Sequence, residues 1–453
     1  MPPRPLWWEG ARTAADQGSS LAGDTAADVV IVGGGYTGLW TAYYLLREDP
    51  SLDVLVLEAE HVGFGASGRN GGWVSALWPV GPETVARVHG PDAARAMVSA
   101  LQETVVEVGE VARAEGIDCG FEQGGTVVLA RSRAQATRAR AAAEAGQQWG
   151  DGTLWLDAAE ARERLAASDV HGGTWNPHCA RVHPRRLVDG LAAAVRRRGG
   201  RIAEGTRVHS VGPGSVHTAG GHRVTARHVI RATEAWTATL PGRRRAVAPV
   251  YSLMVATEPL TPAQWDGIGL AAREVFADHR HVITYGQRTV DDRIAFGGRG
   301  APYHWGSRIR PEFDREQHVF ADLRATLRQM LPQLEGVAFT HAWGGPLGIA
   351  RDWHPSVGLD PETRLGWAGG YVGDGVAASN LAGRTLADLV RGGDTALTRL
   401  PWVGHRSRAW EPEPLRWLGV NAGLRLAEAA DREEARTGRP GVQARLLTAL
   451  TGH

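Results

Sequence analysis

The sequence predicts an α/β fold of the Rossmann-like type, and three observations support this prediction. A short apolar run rich in β-forming residues, 28–32, is followed at once by a glycine turn at 33–38. Apolar residues then recur at helical spacing from 39 to 46. A second apolar run, 54–57, ends in Glu58, twenty residues after Gly38. Strand, glycine turn, helix and strand in this order make a βαβ unit.

The glycine turn has the spacing G-x-G-x-x-G. Gly33 permits the tight turn, Gly35 lets the backbone approach a pyrophosphate, and Gly38 lets the helix pack closely on the strand. Tyr36 and Thr37 open the helix, whose amino-terminal N–H groups favour a phosphate. This turn therefore predicts a dinucleotide site.

Glu58 refines the choice of dinucleotide. A carboxylate at the end of the second strand accepts hydrogen bonds from the hydroxyl groups of an unphosphorylated ribose, which favours FAD or NAD over NADP. The alternative is a glycine turn in an ordinary α/β domain. That turn alone is a weak signal, but the full βαβ context with its acid is a specific one.

Composition excludes several classes of function. The 453 residues suffice for two or three domains, and a net charge of +1 with 43% hydrophobic residues describes an ordinary globular chain with no nucleic-acid footprint. All 50 residues counted as Lys+Arg are arginine. The absence of lysine excludes a Schiff-base mechanism and the lysine of a P-loop NTPase.

The two cysteines and the termini add further expectations. Cys119 and Cys179 cannot form a disulfide framework or a zinc site by themselves, so we expect buried free thiols and no metal site. No apolar run reaches the roughly 18 residues of a membrane span. The first 23 residues lack the apolar core of a signal peptide, so we expect a cytoplasmic protein.

A long glycine-rich loop follows the second strand and ends in Gly-Ala-Ser-Gly-Arg-Asn-Gly-Gly at 65–72. Such a loop suits a backbone that passes a second flat group, such as a flavin, although a flexible loop is the alternative. Together with 33–46 and the glycine-rich segment 369–384, it resembles the D-amino-acid-oxidase-like FAD oxidoreductases. The closest resemblance is to the γ-glutamylputrescine-oxidase-like branch, which is related to sarcosine and glycine oxidases, and it extends from 28 to 389.

The resemblance implies an FAD site assembled from separate segments. It implies that Val208 contacts the adenine side through its backbone and that the last family helix points its amino terminus at the flavin ring. Because no cysteine occurs in 344–358, where some relatives attach the flavin, it implies non-covalent FAD. The further cofactor residues that it implies are Ala66, Ser67, Arg69, Asn70, Gly71, Gly72, Gly370, Gly373, Gly375 and Val376.

The resemblance also implies a flavin domain that is split in sequence around a substrate domain with a large mixed β-sheet. The expected segments are flavin domain 24–80, 184–243 and 345–393, substrate domain 81–183 and 244–344, and a Trp- and Arg-rich helical tail at 394–453. The patterns of apolar residues agree with this division. They predict helices at 82–115, 132–148, 184–195 and 313–331, and strands at 125–129, 202–208 and 229–233.

Asp374 is where the chain departs from its relatives. They commonly carry histidine in the pattern Gly-Tyr-x-Gly-His-Gly, whereas this chain has Asp374. A carboxylate there would pair with a cationic amine and hold it near the flavin. The alternative is an acidic residue that caps the following helix or interacts with its dipole.

Carboxylate recognition also departs from the family. Glycine-oxidase-like relatives bind the substrate carboxylate with arginines, and the matching positions here are Leu347 and Gly373. This argues against a simple α-amino acid substrate unless Arg299 or Arg351 takes the role. Each of these is otherwise a surface or structural arginine.

Aromatic and imidazole side chains complete the candidate substrate site. Stacked tryptophan faces hold cationic amines, and a histidine could assist as a base. The alternative for each residue is core packing. The residues that we expect to form one wall are Tyr285, His304, Trp305, Trp343, Trp353 and His354.

These observations predict an FAD-dependent amine oxidase with a small-molecule amine substrate and O2 as electron acceptor. The alternatives are a dehydrogenase that uses another acceptor and a non-catalytic dinucleotide-binding module. In sarcosine-oxidase relatives a lysine promotes the reaction with oxygen, and the similar strand here, 292–296, has none. An oxidase would therefore need a positive charge near the flavin from an arginine, a protonated histidine or the bound amine, and without one the dehydrogenase is favoured.

Overall fold

A computed structural model describes residues 5–9, 18–439, 441 and 443. The strands form two eight-stranded sheets and one two-stranded sheet. In chain order they are β1 (Thr25–Val32), β2 (Val54–Leu57), β3 (Trp73–Ser75), β4 (Thr126–Ala130), β5 (Leu154–Leu156), β6 (Gly172–Asn176), β7 (Cys179–Arg181), β8 (Arg201–Ala203), β9 (Val208–Gly212), β10 (Ser215–Thr218), β11 (Arg223–Arg231), β12 (Ala248–Thr257), β13 (Val275–Asp278), β14 (Thr284–Arg288), β15 (Ile294–Gly298), β16 (Phe339–Ile349), β17 (Ser356–Leu359) and β18 (Leu365–Gly369).

Helices pack on both sheets. They are α1 (Tyr36–Glu48), α2 (Pro82–His89), α3 (Pro91–Ala114), α4 (Arg133–Trp149), α5 (Ala158–Arg164), α6 (Pro184–Arg197), α7 (Pro262–Ile268), α8 (Gln317–Met330), α9 (Gly375–Val390) and α10 (Leu415–Thr437). None of the helices formed by the described residues is both long and apolar enough to cross a membrane.

The first sheet contains the predicted βαβ unit. Its order is β17-β18-β11-β1-β2-β8, with the β9–β10 hairpin attached to β11, and β1 runs parallel to both β2 and β11. Apolar residues of β1 and β2 alternate between two cores. One core lies under α1, α3, α6 and α9, and the other lies under the hairpin. This confirms the Rossmann-like prediction, because parallel strands buried on both faces read as continuous apolar runs.

The second sheet is the large mixed sheet that the resemblance implies. Its order is β16-β12-β15-β14-β13-β4-β6-β5, in which β13 and β4 are parallel and the other pairs antiparallel. Neighbouring residues of β12 face opposite sides, so that Leu253 packs under α8 and Met254 packs on the other face. The α8 face forms one core, and the other face receives the segment 5–9.

Four predicted elements are wrong in their bounds, and one of them is the strand expected at 229–233, which is β11 (Arg223–Arg231). The helix expected at 82–115 is two helices, because Gly90 has a φ of +90° between them. The strand expected at 202–208 breaks after Ala203, where Glu204 turns away and its carboxylate accepts the N–H of Val62 at 2.6 Å. The helix expected at 313–331 begins at Gln317, after a separate 3-10 turn.

The carboxy-terminal tail contains the expected charged helix, α10, which contacts the connection between β13 and β14 of the second sheet. The Asp431 carboxylate accepts the N–H groups of His281 and Val282 at 2.7 and 2.9 Å. Glu434 binds the Arg138 guanidinium at 2.6 Å. These ion-pair and backbone contacts fix the tail beside the β13–β14 connection.

Both cysteines are buried and free, as predicted. Burial raises the pKa of the Cys119 thiol to about 11 and that of Cys179 to about 12. Both thiols are therefore protonated at neutral pH and unreactive.

Candidate active site

A cavity opens where β1, β2 and β11 end, at the carboxyl edge of the first sheet. Ligands bind at this edge in open α/β sheets, because loops and helix amino termini converge there. Segments far apart in the chain line it. Of the predicted cofactor residues, those in its wall are Gly33, Gly35, Tyr36, Thr37, Glu58, Ala66, Ser67, Asn70, Val208, Gly373, Gly375 and Val376.

The glycine turn holds α1 tightly against β1. Gly33 has a φ of +114°, and a Cβ atom there would lie 2.4 Å from the carbonyl oxygen of Ala232. A Cβ atom on Gly38 would lie 2.0 Å from the carbonyl oxygen of Gly33. Gly38 therefore does not line the cavity but sets the packing that aims the amino terminus of α1 into it.

Glu58 lies at the cavity wall where β2 ends. Its two carboxylate oxygens accept the N–H groups of Gly34, at 2.7 Å, and Glu60, at 2.9 Å. Burial raises the pKa of Glu58, which the two N–H donors oppose. An acceptor held in this way beside 206–208 suits the hydroxyl groups of a ribose.

The glycine-rich loop, residues 65–72, folds over the amino terminus of α1. The Ser67 hydroxyl accepts the N–H of Tyr36 at 2.8 Å. The Asn70 amide donates to the carbonyl oxygens of Ala66 and Ser67, both at 3.0 Å, and its oxygen accepts the N–H of Gly72 at 2.7 Å. The loop is thus fixed by its own polar side chains.

The remaining predicted cofactor residues lie beside the cavity wall. A Cβ atom on Gly71 would lie 2.7 Å from the Tyr285 ring, so the loop meets β14 there. A Cβ atom on Gly72 would lie 2.0 Å from the side-chain nitrogen of Gln287, which is on the same face of β14 as Tyr285. Arg69 points away from the cavity and binds the Asp314 carboxylate at 2.8 Å.

Glu234 is a wall residue that the sequence did not indicate. It follows β11 with a φ of +42°. Its carboxylate accepts the N–H groups of Gly348 at 2.8 Å and of Gly370 and Tyr371 at 3.1 Å. Burial raises its pKa to about 7. One side chain therefore ties the end of β16 to the glycine-rich segment after β18.

We expect Glu234→Ala to destabilise both segments and to weaken cofactor binding. Three buried N–H groups lose their acceptor. Each unpaired group costs about 1–3 kcal/mol, so the free energy of unfolding should fall by at least about 3 kcal/mol. Thermal unfolding and FAD titration measure the two effects. Glu335→Ala, at an exposed glutamate, is the control. Equal melting points for the two variants would contradict this role.

Apolar residues complete the wall. The Trp236 ring lies 6.2 Å from Phe64 between ring centroids, and a Cβ atom on Gly65 would lie 3.1 Å from it. Such flat apolar surfaces, together with backbone N–H groups and a carboxylate, fit a dinucleotide that carries an aromatic ring system. Other wall residues carry no pattern that marks them in the sequence, and they include Thr233, Leu240, Pro346 and Ser379.

Asp374 and Arg299 form an ion pair at the edge of the cavity. The Asp374 carboxylate lies 3.8 Å from the Arg299 guanidinium, which also donates to the carbonyl oxygen of Val372. Asp374 precedes α9, and its carboxylate makes no capping hydrogen bond there. A carboxylate at this end of the helix still interacts favourably with the helix dipole. Burial raises the pKa of Asp374 to about 6, and Arg299 opposes this rise.

Gly373 makes room for this ion pair. It has a φ of +99°, and a Cβ atom there would lie 2.5 Å from the Arg299 guanidinium. A Cβ atom would also lie 3.3 Å from Leu347. The backbone at Gly373, beside Leu347, therefore accommodates the guanidinium of Arg299, which directly follows β15.

Tyr285 adjoins the ion pair. Its hydroxyl lies 2.8 Å from the Ser252 hydroxyl, and its ring fits between Gly71 and Gly297. Burial raises the pKa of Tyr285, on which the charges of Arg299 and Asp374 also act. A neutral phenol, a carboxylate and a guanidinium thus meet where the loop touches the second sheet.

The aromatic and imidazole residues that were expected to form one wall do not share a single surface. Trp343 packs in the same cluster as Tyr285, but its indole N–H donates to the carbonyl oxygen of Arg69 at 2.8 Å. His304 stacks on Phe313 with ring centroids 3.4 Å apart. Nonlocal packing decides these orientations, which spacing along the chain does not reveal.

The other residues of the predicted wall lie in different parts of the structure. His354 stacks on His405 with ring centroids 4.0 Å apart, and Trp353 packs in a cluster with Trp410. Trp305 is 47% exposed, with its ring 6.4 Å from that of Trp417. Arg351 binds the exposed Glu411 at 2.9 Å, which leaves Arg299 as the predicted arginine beside the cavity.

Comparison with known proteins agrees with this geometry. Residues 28–389 match the family model described as FAD dependent oxidoreductase. The chain is 34% identical over 371 residues to γ-glutamylputrescine oxidoreductase of Escherichia coli, which covers 81% of this chain and 84% of that protein. The crystal structure of glycine oxidase from Geobacillus kaustophilus has a TM-score of 0.67 at 25% identity and covers 84% of this chain and 99% of its own.

A third relative shares the fold. The crystal structure of L-proline dehydrogenase from P. horikoshii has a TM-score of 0.69 at 19% identity and covers 84% of this chain and 98% of its own. The glycine turn, the acid after β2 and the apolar wall fit FAD, which is the cofactor of the matched family. The chain therefore belongs to the family of FAD-dependent oxidoreductases of the D-amino-acid-oxidase type.

Proposed function

We propose that this protein is an FAD-dependent amine oxidase. A hydride leaves the carbon that bears the amine, and the resulting imine is hydrolysed to a carbonyl compound and an amine. Molecular oxygen takes up the two electrons and two protons and becomes hydrogen peroxide. The observation that carries the proposal is the partly buried Asp374 carboxylate, which lies beside the cavity and makes no capping hydrogen bond with α9.

FAD supplies the redox chemistry when bound, by accepting the hydride at its N5 atom. The chain supplies binding and orientation. The Asp374 carboxylate accepts hydrogen bonds from the substrate amine, and Arg299 keeps that carboxylate in place and ionised. Tyr285 and Ser252 provide hydroxyl groups on the side of the second sheet.

The relatives support an amine substrate. The Escherichia coli protein is named for γ-glutamylputrescine and the Geobacillus kaustophilus protein for glycine, and both compounds carry an amino group. In this chain a guanidinium and a carboxylate stand side by side, so we propose a substrate that presents an amine to Asp374. An anionic group of the substrate would meet Arg299.

A dehydrogenase is the second candidate, and one observation favours it. The chain has no lysine, and Arg299, the cation beside Gly373, is already bound to Asp374 and to the carbonyl oxygen of Val372. A cation that is neutralised in this way attracts electrons less strongly than a free one. The electron acceptor would then be a quinone or a carrier protein.

Flavin absorbance under anaerobic conditions tests the proposal. Polyamines, N-methyl amino acids, amino acids and aminophosphonates are added in turn to the yellow protein, and we expect at least one amine to bleach it. Peroxide is then measured in air, with a redox dye as the alternative acceptor. Peroxide at the rate of amine consumption supports the oxidase, and dye reduction without peroxide supports the dehydrogenase. A purified protein that cannot take up FAD would refute both.

A further inference from the structure

Three tryptophans bind three consecutive carbonyl oxygens of the glycine-rich loop. The Trp8 indole N–H donates to Gly68 at 3.1 Å, and the Trp7 indole N–H donates to Asn70 at 2.8 Å. Between them, Trp343 donates to Arg69 at 2.8 Å. Two of the three donors come from the segment 5–9, which lies about sixty residues before the loop. The third lies on β16, 274 residues after the loop residue that it binds.

The segment 5–9 is anchored on the second sheet. Leu6 and Trp7 are 4% and 2% exposed, and they pack on the face of that sheet opposite α8. The Trp7 ring meets that of Trp343 edge-on, with centroids 5.9 Å apart. The Glu9 carboxylate lies 2.9 Å from the His341 imidazole on β16. The segment therefore joins the loop of one sheet to the surface of the other.

The side chain of Arg69, a residue of the loop, also contacts the segment 5–9. Its guanidinium lies over the rings of Trp8 and Phe64, at 5.1 and 4.7 Å from their centroids, and forms its ion pair with Asp314. A guanidinium on an aromatic face is held by electrostatic attraction to the ring. The outer side of the loop is thus covered by tryptophan, whereas Ala66, Ser67 and Asn70 line the cavity on its inner side.

We infer that the segment 5–9 is a positioning element for FAD, which acts through the glycine-rich loop. Four of the eight loop residues are glycine, so the loop loses much conformational entropy when it is ordered. Because indole N–H groups bind its carbonyl oxygens, the loop is already ordered before FAD binds. Segment docking and FAD binding are then coupled, and each strengthens the other.

Variants that keep the aromatic ring but lose the indole N–H test this inference. In Trp7→Phe and in Trp8→Phe we expect the dissociation constant of FAD to rise about fivefold, the effect of one ordinary hydrogen bond. In the double variant the two factors should multiply to about 25-fold if the bonds act independently. FAD release from the holoprotein is followed by flavin fluorescence, and the visible spectrum of the bound flavin is recorded in parallel.

Trp417→Phe is the matched control, because Trp417 is 39% exposed on α10 and its indole N–H has no part in the loop. It should leave the FAD dissociation constant unchanged. Trp8 is only partly buried, so Trp8→Phe remains informative even if Trp7→Phe impairs folding. A melting temperature that falls while the FAD dissociation constant and spectrum of Trp8→Phe stay at the wild-type values would overturn the inference. An equal loss of FAD in Trp417→Phe would also overturn it.

Discussion

Asp374→Asn is expected to lower kcat/KM for the amine substrate on the order of 100-fold while FAD remains bound. Removing the charge leaves the substrate ammonium without its ionic partner in a buried site, and about 2.7 kcal/mol of lost transition-state stabilisation corresponds to a 100-fold loss. The carboxylate makes no hydrogen bond with the first turn of α9, so the fold should tolerate the amide. Steady-state kinetics and anaerobic flavin reduction measure the loss.

The same residue predicts a pH dependence. Burial raises the pKa of Asp374 to about 6, so its carboxylate is protonated at pH 5 and ionised at pH 7. Because the ionised form binds the amine, kcat/KM should rise as the pH increases through about 6. Asp374→Asn should lack this rise, since an amide does not titrate.

Asp388→Asn on the same helix is the control, because an asparagine oxygen can still accept the bond of 2.7 Å from the Thr395 hydroxyl. Its kinetics and pH profile should match the wild-type protein. Unchanged turnover in Asp374→Asn would show that the amine is oriented by another group, and the proposed role of Asp374 would be withdrawn.

Gly38→Ala is expected to abolish FAD binding, with a rise in the dissociation constant of more than about 100-fold. The new Cβ atom would lie 2.0 Å from the carbonyl oxygen of Gly33 and 3.1 Å from the Ile31 side chain, so α1 would have to move away from β1. Overpacking of this kind costs about 1–3 kcal/mol or more, and the movement also displaces the N–H groups that face the cavity. Flavin content after purification and the thermal midpoint report the two effects.

Gly423→Ala is the matched control for this substitution. Gly423 lies within α10, and apart from the backbone of that helix no atom of the described residues lies within 4 Å of the position that its Cβ would take. Alanine favours a helix by up to about 1 kcal/mol over glycine, so this variant should be as stable as the wild-type protein or slightly more stable. A Gly38→Ala protein that retains its full flavin content would refute the packing argument.

The sequence predicted the parts of the site that depend on neighbouring residues. Gly33, Gly35 and Gly38 act within one turn, and Glu58 follows the next strand, so their spacing is visible without a structure. The glycine-rich loop was recognisable for the same reason. The domain boundaries and the roles of individual residues toward the substrate stay predictions.

The sequence did not reveal the residues that act across large separations. Glu234 binds backbone groups 114 and 136 positions away, and Trp343 binds the loop 274 positions away. A lone glutamate after a strand and one tryptophan among 17 carry no pattern that marks them. Trp343 illustrates the consequence, because its position in the sequence does not reveal its hydrogen bond to the loop, and its role toward the substrate stays a prediction.

By itself the sequence determined the βαβ unit, the dinucleotide turn and the absence of any lysine chemistry, because these follow from local spacing and composition. The tertiary structure alone decided which charged side chains meet at the cavity and how the loop is held. Asp374 and Arg299 are 75 residues apart, yet their charged groups lie 3.8 Å from each other. Their meeting depends on how the two sheets pack, and that packing is the sum of many contacts between distant segments.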